Sequence, residues 1–218
     1  MQSLESGDPL AVAVTAAIWG GDLPGLRGLL DTHPALAASR IVKRGAAAGE
    51  RSLLLIATDW PGHHPDTAEV IRTLVAAGAD PGARFVGAHA ETPLHWAASN
   101  DDVEAVDALV AAGADVNAPG AVLGGGTPLT DACGFGQWRA ARRLLDLGAR
   151  PDLQDAAALG LLDRVGSSSR PAPPPRTSPA PSGRPATAAN CPPRTFCCLA
   201  ERTSTGSATT GSPRSTSP

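Results

Sequence analysis

Five histidines and four cysteines are the side chains of this 218-residue sequence best suited to metal or nucleophilic chemistry. His63 and His64 are adjacent, bracketed by Pro61-Gly62 and Pro65, while His33, His89 and His95 are scattered. A zinc site needs three or four ligands in fixed geometry. No H-E-x-x-H pair sets two histidines on one helix face, so His63 and His64 read as the polarity of an exposed loop. Cys133, Cys191, Cys197 and Cys198 have neither metal-site nor disulfide-framework spacing. Cys133 has no adjoining histidine or basic residue to lower its thiol pKa, and it reads as a small core residue. Gly124-Gly125-Gly126 precedes a turn rather than ending a strand, and no G-x-x-x-x-G-K-[ST] run is present to cradle a phosphate. The sequence therefore contains no catalytic constellation. A noncatalytic protein with no cofactor and no metal is expected.

The elements that position these side chains are clearest between Glu91 and Asn117, ETPLHWAASNDDVEAVDALVAAGADVN. Thr92-Pro93 starts a turn, an alanine-rich helix follows, and Asn100-Asp101-Asp102 breaks it. Val103, Val106, Leu109 and Val110 then recur at helical spacing, and Gly113 closes the second helix. The unit recurs: Gly78, Gly113 and Gly148 are spaced 35 residues apart, and Thr92-Pro93-Leu94 and Thr127-Pro128-Leu129 keep the same offset. A pair of short helices cannot bury its own apolar face, so units of this period must stack into one continuous core.

The TPLH start at Thr92 to His95, the Ala97-Ala98 pair and the GADVN end at Gly113 resemble an ankyrin repeat. The resemblance implies an all-α fold, a solenoid of stacked helix-turn-helix pairs with finger loops, and through it a binding role. It also implies a structural job for His95, which in the family ties the TPLH turn to the backbone. Thr130 stands at that place in the next repeat, so a looser turn is expected there.

Read in order, residues 1–7 are expected to be a frayed start. A degenerate first repeat covers about residues 8–40: Asp8 caps a helix through Trp19, Pro9 occupies its first turn, and Leu23, Leu26, Leu29 and Leu30 form the buried stripe of the next. A second repeat spans about 51–80, with Ser52-Leu53-Leu54 in the place of Thr92-Pro93-Leu94. Its five extra residues, Pro61 to Pro65, become a surface loop between its helices. Third and fourth repeats span about 91–115 and 126–150, with finger loops at 81–90 and 118–126. A partial fifth unit covers 151–165, with Ala156-Ala157-Ala158 in the inner helix, a break at Gly160, and the first turn of an outer helix at Leu161 to Val165.

Charge and composition then change. Residues 1–165 carry 20 acidic and 12 basic side chains, whereas residues 166–218 carry one acid and six arginines with 11 of the 21 prolines. The acidic first part argues against nucleic-acid binding. The Pro/Ser/Thr-rich remainder cannot offset roughly 1–2 kcal/mol of backbone entropy per residue and is expected to be a disordered tail. One reading of the tail is a natural linker. The other is out-of-frame translation of a further repeat: with suitable synonymous codons, the neighbouring frame from Pro181 to Pro218 spells GAD and TPLDVA in repeat order. No apolar run approaches the roughly 18 residues of a membrane span, and the start lacks a signal peptide's basic and apolar regions. A cytoplasmic protein is expected, with no membrane and no nucleic-acid partner, monomeric by default.

In ankyrin proteins, partners contact the finger loops and the exposed ends of the inner helices. Carried over by position, Trp60, Asn100 and Phe135 fall at the C-terminal ends of three successive inner helices, with Asp59, Ser99 and Gly134 beside them. Stacking lines these up along the concave face, and exposed aromatics among polar groups are hot-spot composition. Arg84, Phe85 and His89 in the first finger are secondary candidates, set against an ordinary solvated loop. Trp96 follows TPLH directly and is expected in the core, with Trp138 partly buried. The function expected is protein–protein interaction with an unknown partner. The alternatives are a truncated or frameshifted gene product and, third, a His-dependent metal-binding or hydrolytic protein.

Overall fold

The computed structural model describes residues 3–45 and 48–161, which form nine α-helices, one 3-10 turn and a three-stranded sheet. Strand β1 is Ser3–Glu5. Helix α1, Pro9–Gly20, begins where the Asp8 carboxylate accepts from the Leu10 amide at 2.8 Å. Such a cap contributes about 1 kcal/mol. Gly21, at φ 65°, ends α1 in the left-handed region. Helix α2, Leu23–Thr32, is capped by Asp22 and buries Leu26 and Leu30.

After the 3-10 turn at Leu36–Ala38 comes β2, Arg40–Lys43, and then β3, Gly49–Ser52. Strand β1 runs parallel to β2, and β2 antiparallel to β3, with Arg40 opposite Ser52 and Lys43 opposite Gly49. This sheet corrects two expectations. Residues 3–5 are not frayed, and the fold is mostly helical rather than wholly so. The reason is burial: Leu4 and Ile41, neighbours in register, both join the core, and the Ser6 amide donates to the Val42 carbonyl at 2.9 Å.

Three regular helix pairs follow. They are α3 Leu53–Ala57 with α4 Thr67–Ala76, α5 Pro93–Ser99 with α6 Val103–Ala111, and α7 Pro128–Gly134 with α8 Trp138–Asp146. Helix α9 is Leu153–Ala158. Helices α1, α3, α5, α7 and α9 pack in series into one layer, and α2, α4, α6 and α8 into a second. Ala97, Ala98 and Ala132 are fully buried between inner helices, and Leu94, Leu109, Leu129 and Leu144 fill the space between layers. Each such leucine contributes roughly 1.5–3 kcal/mol of burial. Gly78, Gly113 and Gly148 take φ of 101°, 95° and 96°, which lets Ala79, Ala114 and Ala149 donate back to Leu74, Leu109 and Leu144 at 2.9, 3.0 and 2.9 Å. A Cβ would strain each of these left-handed turns.

The two TP turns are closed by different chemistry. In the first, His95 Nδ1 accepts from the Thr92 amide at 3.1 Å and lies 2.9 Å from Thr92 Oγ1. In the second, the Thr130 hydroxyl accepts from the Thr127 amide at 3.2 Å and lies 3.4 Å from an Asp155 carboxylate oxygen of the next unit. The hydroxyl still satisfies the same orphan donor, but it lies 3.4 Å from Thr127 Oγ1, so the contacts of this turn are longer than those of His95. Side chains also tie neighbouring repeats together. Asn100 Nδ2 donates to Thr58 O at 3.0 Å, Gln137 Nε2 to Ser99 O at 2.9 Å, and the Ala140 amide to Asp101 Oδ1 at 2.7 Å. In the partial fifth unit, Asp152 caps α9 and Gly160 adopts φ 70°. Residues 162–165 of the expected outer helix, and the tail 166–218 with both readings of it, lie outside the described residues.

Candidate functional site

The C-terminal ends of α3, α5 and α7 surround an open cleft of about 600 Å³. It brings together Trp60, Asn100 and Phe135, with Asp59 and Ser99 beside them. Gly134 is not among the residues that line it. The two aromatic rings are largely in water, 80% exposed at Trp60 and 51% at Phe135. The polar groups between them are engaged within the fold. Asn100 spends its amide on Thr58, and its own carbonyl lies 2.9 Å from His63 Nε2. Asp59 pairs with Arg51 at 3.2 Å and accepts from the Trp60 amide at 2.9 Å. The Ser99 hydroxyl donates to the His95 carbonyl at 2.9 Å.

Trp96 also lines the cleft and is only half-buried, which corrects its assignment to the core. The helix-facing positions of α5 are taken by Leu94, Ala97 and Ala98, so the indole is left on the finger side. There it meets the Phe85 ring at 5.6 Å between centroids and the Arg51 guanidinium at 5.6 Å. A cation–π contact of this kind contributes about 0.5–1 kcal/mol or more. Phe85 is thus a packed residue rather than part of a solvated loop. Arg84 is likewise structural: its Nη1 donates to Ala90 O at 2.8 Å and reaches Pro119 O, joining the two fingers. His89 remains exposed. Trp138, expected to be partly buried, is 43% exposed and lines a separate shallow hollow near Leu145 and Leu159.

Sequence reasoning passed over the most unusual electrostatics of the cleft. Glu91 lines it while being only 9% exposed. Burial raises the Glu91 pKa, which the approaching Trp96 indole N–H and His89 partly offset. Asp131, one turn into α7 and withdrawn from solvent altogether, lies beside it. Burial first, and then Glu91, push the Asp131 carboxyl up to about 7. The Val122 and Leu123 amides approach that carboxyl from the finger, yet neither of its oxygens has a partner of hydrogen-bonding geometry. A signal was present: Asp131 occupies the place of Trp96 one repeat earlier, and a charge is out of pattern on an inner helix. Gln137 lines the same cleft and was also missed.

The remaining titratable groups do not assemble into a reactive set. Burial, followed by the nearby Asp155 and Asp152 carboxylates, raises the Cys133 thiol to about 11, which leaves almost no thiolate at neutral pH. Burial, aided by Arg84, lowers His95 to about 4, against the pull of the Gly126 carbonyl. Two adjacent carboxyls of raised pKa also occur in acid–base catalysis. Here Asp131 is out of reach of any substrate. His64 stacks on Trp19 at 5.9 Å, and among the described residues no group of three or more His, Cys, Asp and Glu side chains is placed to hold a metal ion. No helix among the described residues is long and apolar enough to cross a membrane.

Helix pairs stacked in two layers at a fixed period define a helical repeat protein. The sequence model for ankyrin repeats, in three copies, matches residues 46–155, and the chain belongs to the ankyrin-repeat family. Among curated proteins none matches it. Ankyrin repeats are generally protein–protein interaction modules.

Proposed function

We propose that residues 8–165 act as a noncatalytic ankyrin solenoid that binds a protein partner in the cytoplasm through its concave face. Trp60 and Phe135 are the contact residues, Asn100, Asp59 and Ser99 support the floor between them, and His89 is a secondary contact from the finger. One observation carries this reading. Two large aromatic side chains, from different repeats, line one cleft and leave half or more of their surface in water. Aromatic anchors over a polar floor of satisfied hydrogen bonds are what a protein interface concentrates its energy in. Arg84 and Phe85 serve by holding the fingers rather than by touching the partner.

Affinity capture from the source cell's lysate tests this, with the wild-type chain and the Trp60→Ala/Phe135→Ala double variant as parallel baits. A partner retained by the first and lost by the second is the expected result. A partner retained equally by both, with both baits folded by circular dichroism, excludes the cleft as its site.

A further inference from the structure

The cleft is lined by two carboxylates in different electrostatic settings. In one, Asp59 is already neutralised by Arg51, whose guanidinium also covers one face of Trp96. In the other, Glu91 lines the cleft with Asp131 behind it, and among the described residues neither carboxylate has a lysine or arginine partner. The charged groups that act on Glu91 are Asp131 and His89. A buried acid pair without a counter-charge is costly and either holds a proton or takes up a cation. The acid at the surface of the pair is the one the cleft exposes, and the Trp60, Trp96 and Phe135 rings stand around the same space. A carboxylate among aromatic faces is the complement of an organic cation rather than of an anion or an apolar group.

We propose that the cleft takes one cationic side chain of the protein partner, an arginine guanidinium or lysine ammonium, with Glu91 as its counter-charge and the aromatic rings as its walls. This rests on the reading of the cleft as the partner surface and adds the chemistry it selects. Asp131 is a positioning residue: it does not touch the cation, and by holding the proton of the pair it leaves the charge on Glu91. Because Arg51 is tied to Asp59, the incoming cation is directed to Glu91. Charge complementarity supports the same occupant on a larger scale, since residues 1–165 carry 20 acidic against 12 basic side chains.

The test is a tryptophan-fluorescence titration of the full chain with three acetylated and amidated pentapeptides. Each has glycine at four positions and arginine, lysine or citrulline at the centre, citrulline being the neutral isostere of arginine. The arginine and lysine peptides are expected to bind at millimolar concentration or below, the citrulline peptide at least about tenfold more weakly. Glu91→Gln keeps the shape, removes the charge and relieves the repulsion with Asp131, so the variant folds. It is expected to lose at least about tenfold for the arginine and lysine peptides and nothing for citrulline. Equal binding of arginine and citrulline peptides, unchanged binding by Glu91→Gln, or no binding by any of the three overturns the proposal. If arginine and citrulline peptides bind alike and both are lost in Trp60→Ala/Phe135→Ala, the cation claim falls while the cleft remains the binding surface. If that double variant binds every peptide as the wild type does, the cleft reading falls too.

Discussion

The inner helices have a buried floor of Leu94, His95 and Asp131, withdrawn from water, whereas at the rim of the cleft the rings of Trp60 and Phe135 stand largely in it. Helix α7 supplies one of each, Asp131 to the floor and Phe135, at its C-cap, to the rim, while Trp60 follows α3. Floor residues answer to neighbours inside the chain: Leu94 to the facing helix layer, His95 to the Thr92 turn, Asp131 to Glu91 and the second finger. Rim rings leave half or more of their surface outside it. Removing a floor side chain therefore costs stability, while removing a rim side chain costs binding.

The largest effect is expected from Leu129→Ala. Its fully buried side chain belongs to α7, the helix that packs between α5 and α9. Loss of about 2–5 kcal/mol in urea unfolding is expected, because transfer and cavity terms add. A loss below about 1 kcal/mol would mean that the inner layer is not close-packed there.

His95 gives the next effect, through pH. Its pKa is about 4 when folded against 6.5 in the reference state, so the unfolded chain binds the proton first as pH falls. The contribution is fully present above about pH 6.5 and is lost as pH falls toward about 4, by an amount on the order of 2–3 kcal/mol. Nδ1, the atom that would take the proton, is the acceptor of the Thr92 amide, so protonation breaks the turn. His95→Thr borrows the hydroxyl chemistry of Thr130. It is expected to flatten this acid limb while retaining the cap, and an unchanged limb would assign the titration elsewhere.

Asp131 works in the opposite direction. Its folded pKa of about 7 lies above the reference value of 3.8, so the folded chain binds the proton more tightly. That contribution is fully present below about pH 4 and is lost as pH rises through about 7. Between about pH 4 and 6.5 the two residues oppose each other, which makes the single variants more informative than the wild-type curve. Asp131→Asn is expected to raise stability at pH 8 by roughly 1–3 kcal/mol and to remove the alkaline decline, read by thermal unfolding across pH. A destabilised Asp131→Asn at pH 8 would show that the carboxylate is satisfied after all.

How much of this could be read beforehand depended on whether a residue follows the repeat. The turn at Thr92, the cap at Asp8, and the glycines at 78, 113 and 148 were legible because each obeys a local rule that needs no partner. The juxtaposition of Trp60, Asn100 and Phe135 was legible because stacking converts sequence period into adjacency. Strand β1 was not, since its pairing with β2 joins residues almost forty positions apart and three residues carry too short a pattern. Trp96 was misplaced because a family average put an apolar residue there, while in this chain the helix-facing side of α5 is filled by alanine and leucine. Glu91 and Asp131 were passed over because each is ordinary alone. Only the packing of the finger against α7 makes them a pair.

The smallest expected effect is also the most direct test of the division between floor and rim. It is the unfolding free energy of Trp60→Ala/Phe135→Ala, measured by urea titration beside the wild type. The account predicts a change within about 1 kcal/mol, as for side chains on the surface. A loss of about 3 kcal/mol or more would contradict it, making the rim rings part of the fold rather than a surface held open for a partner.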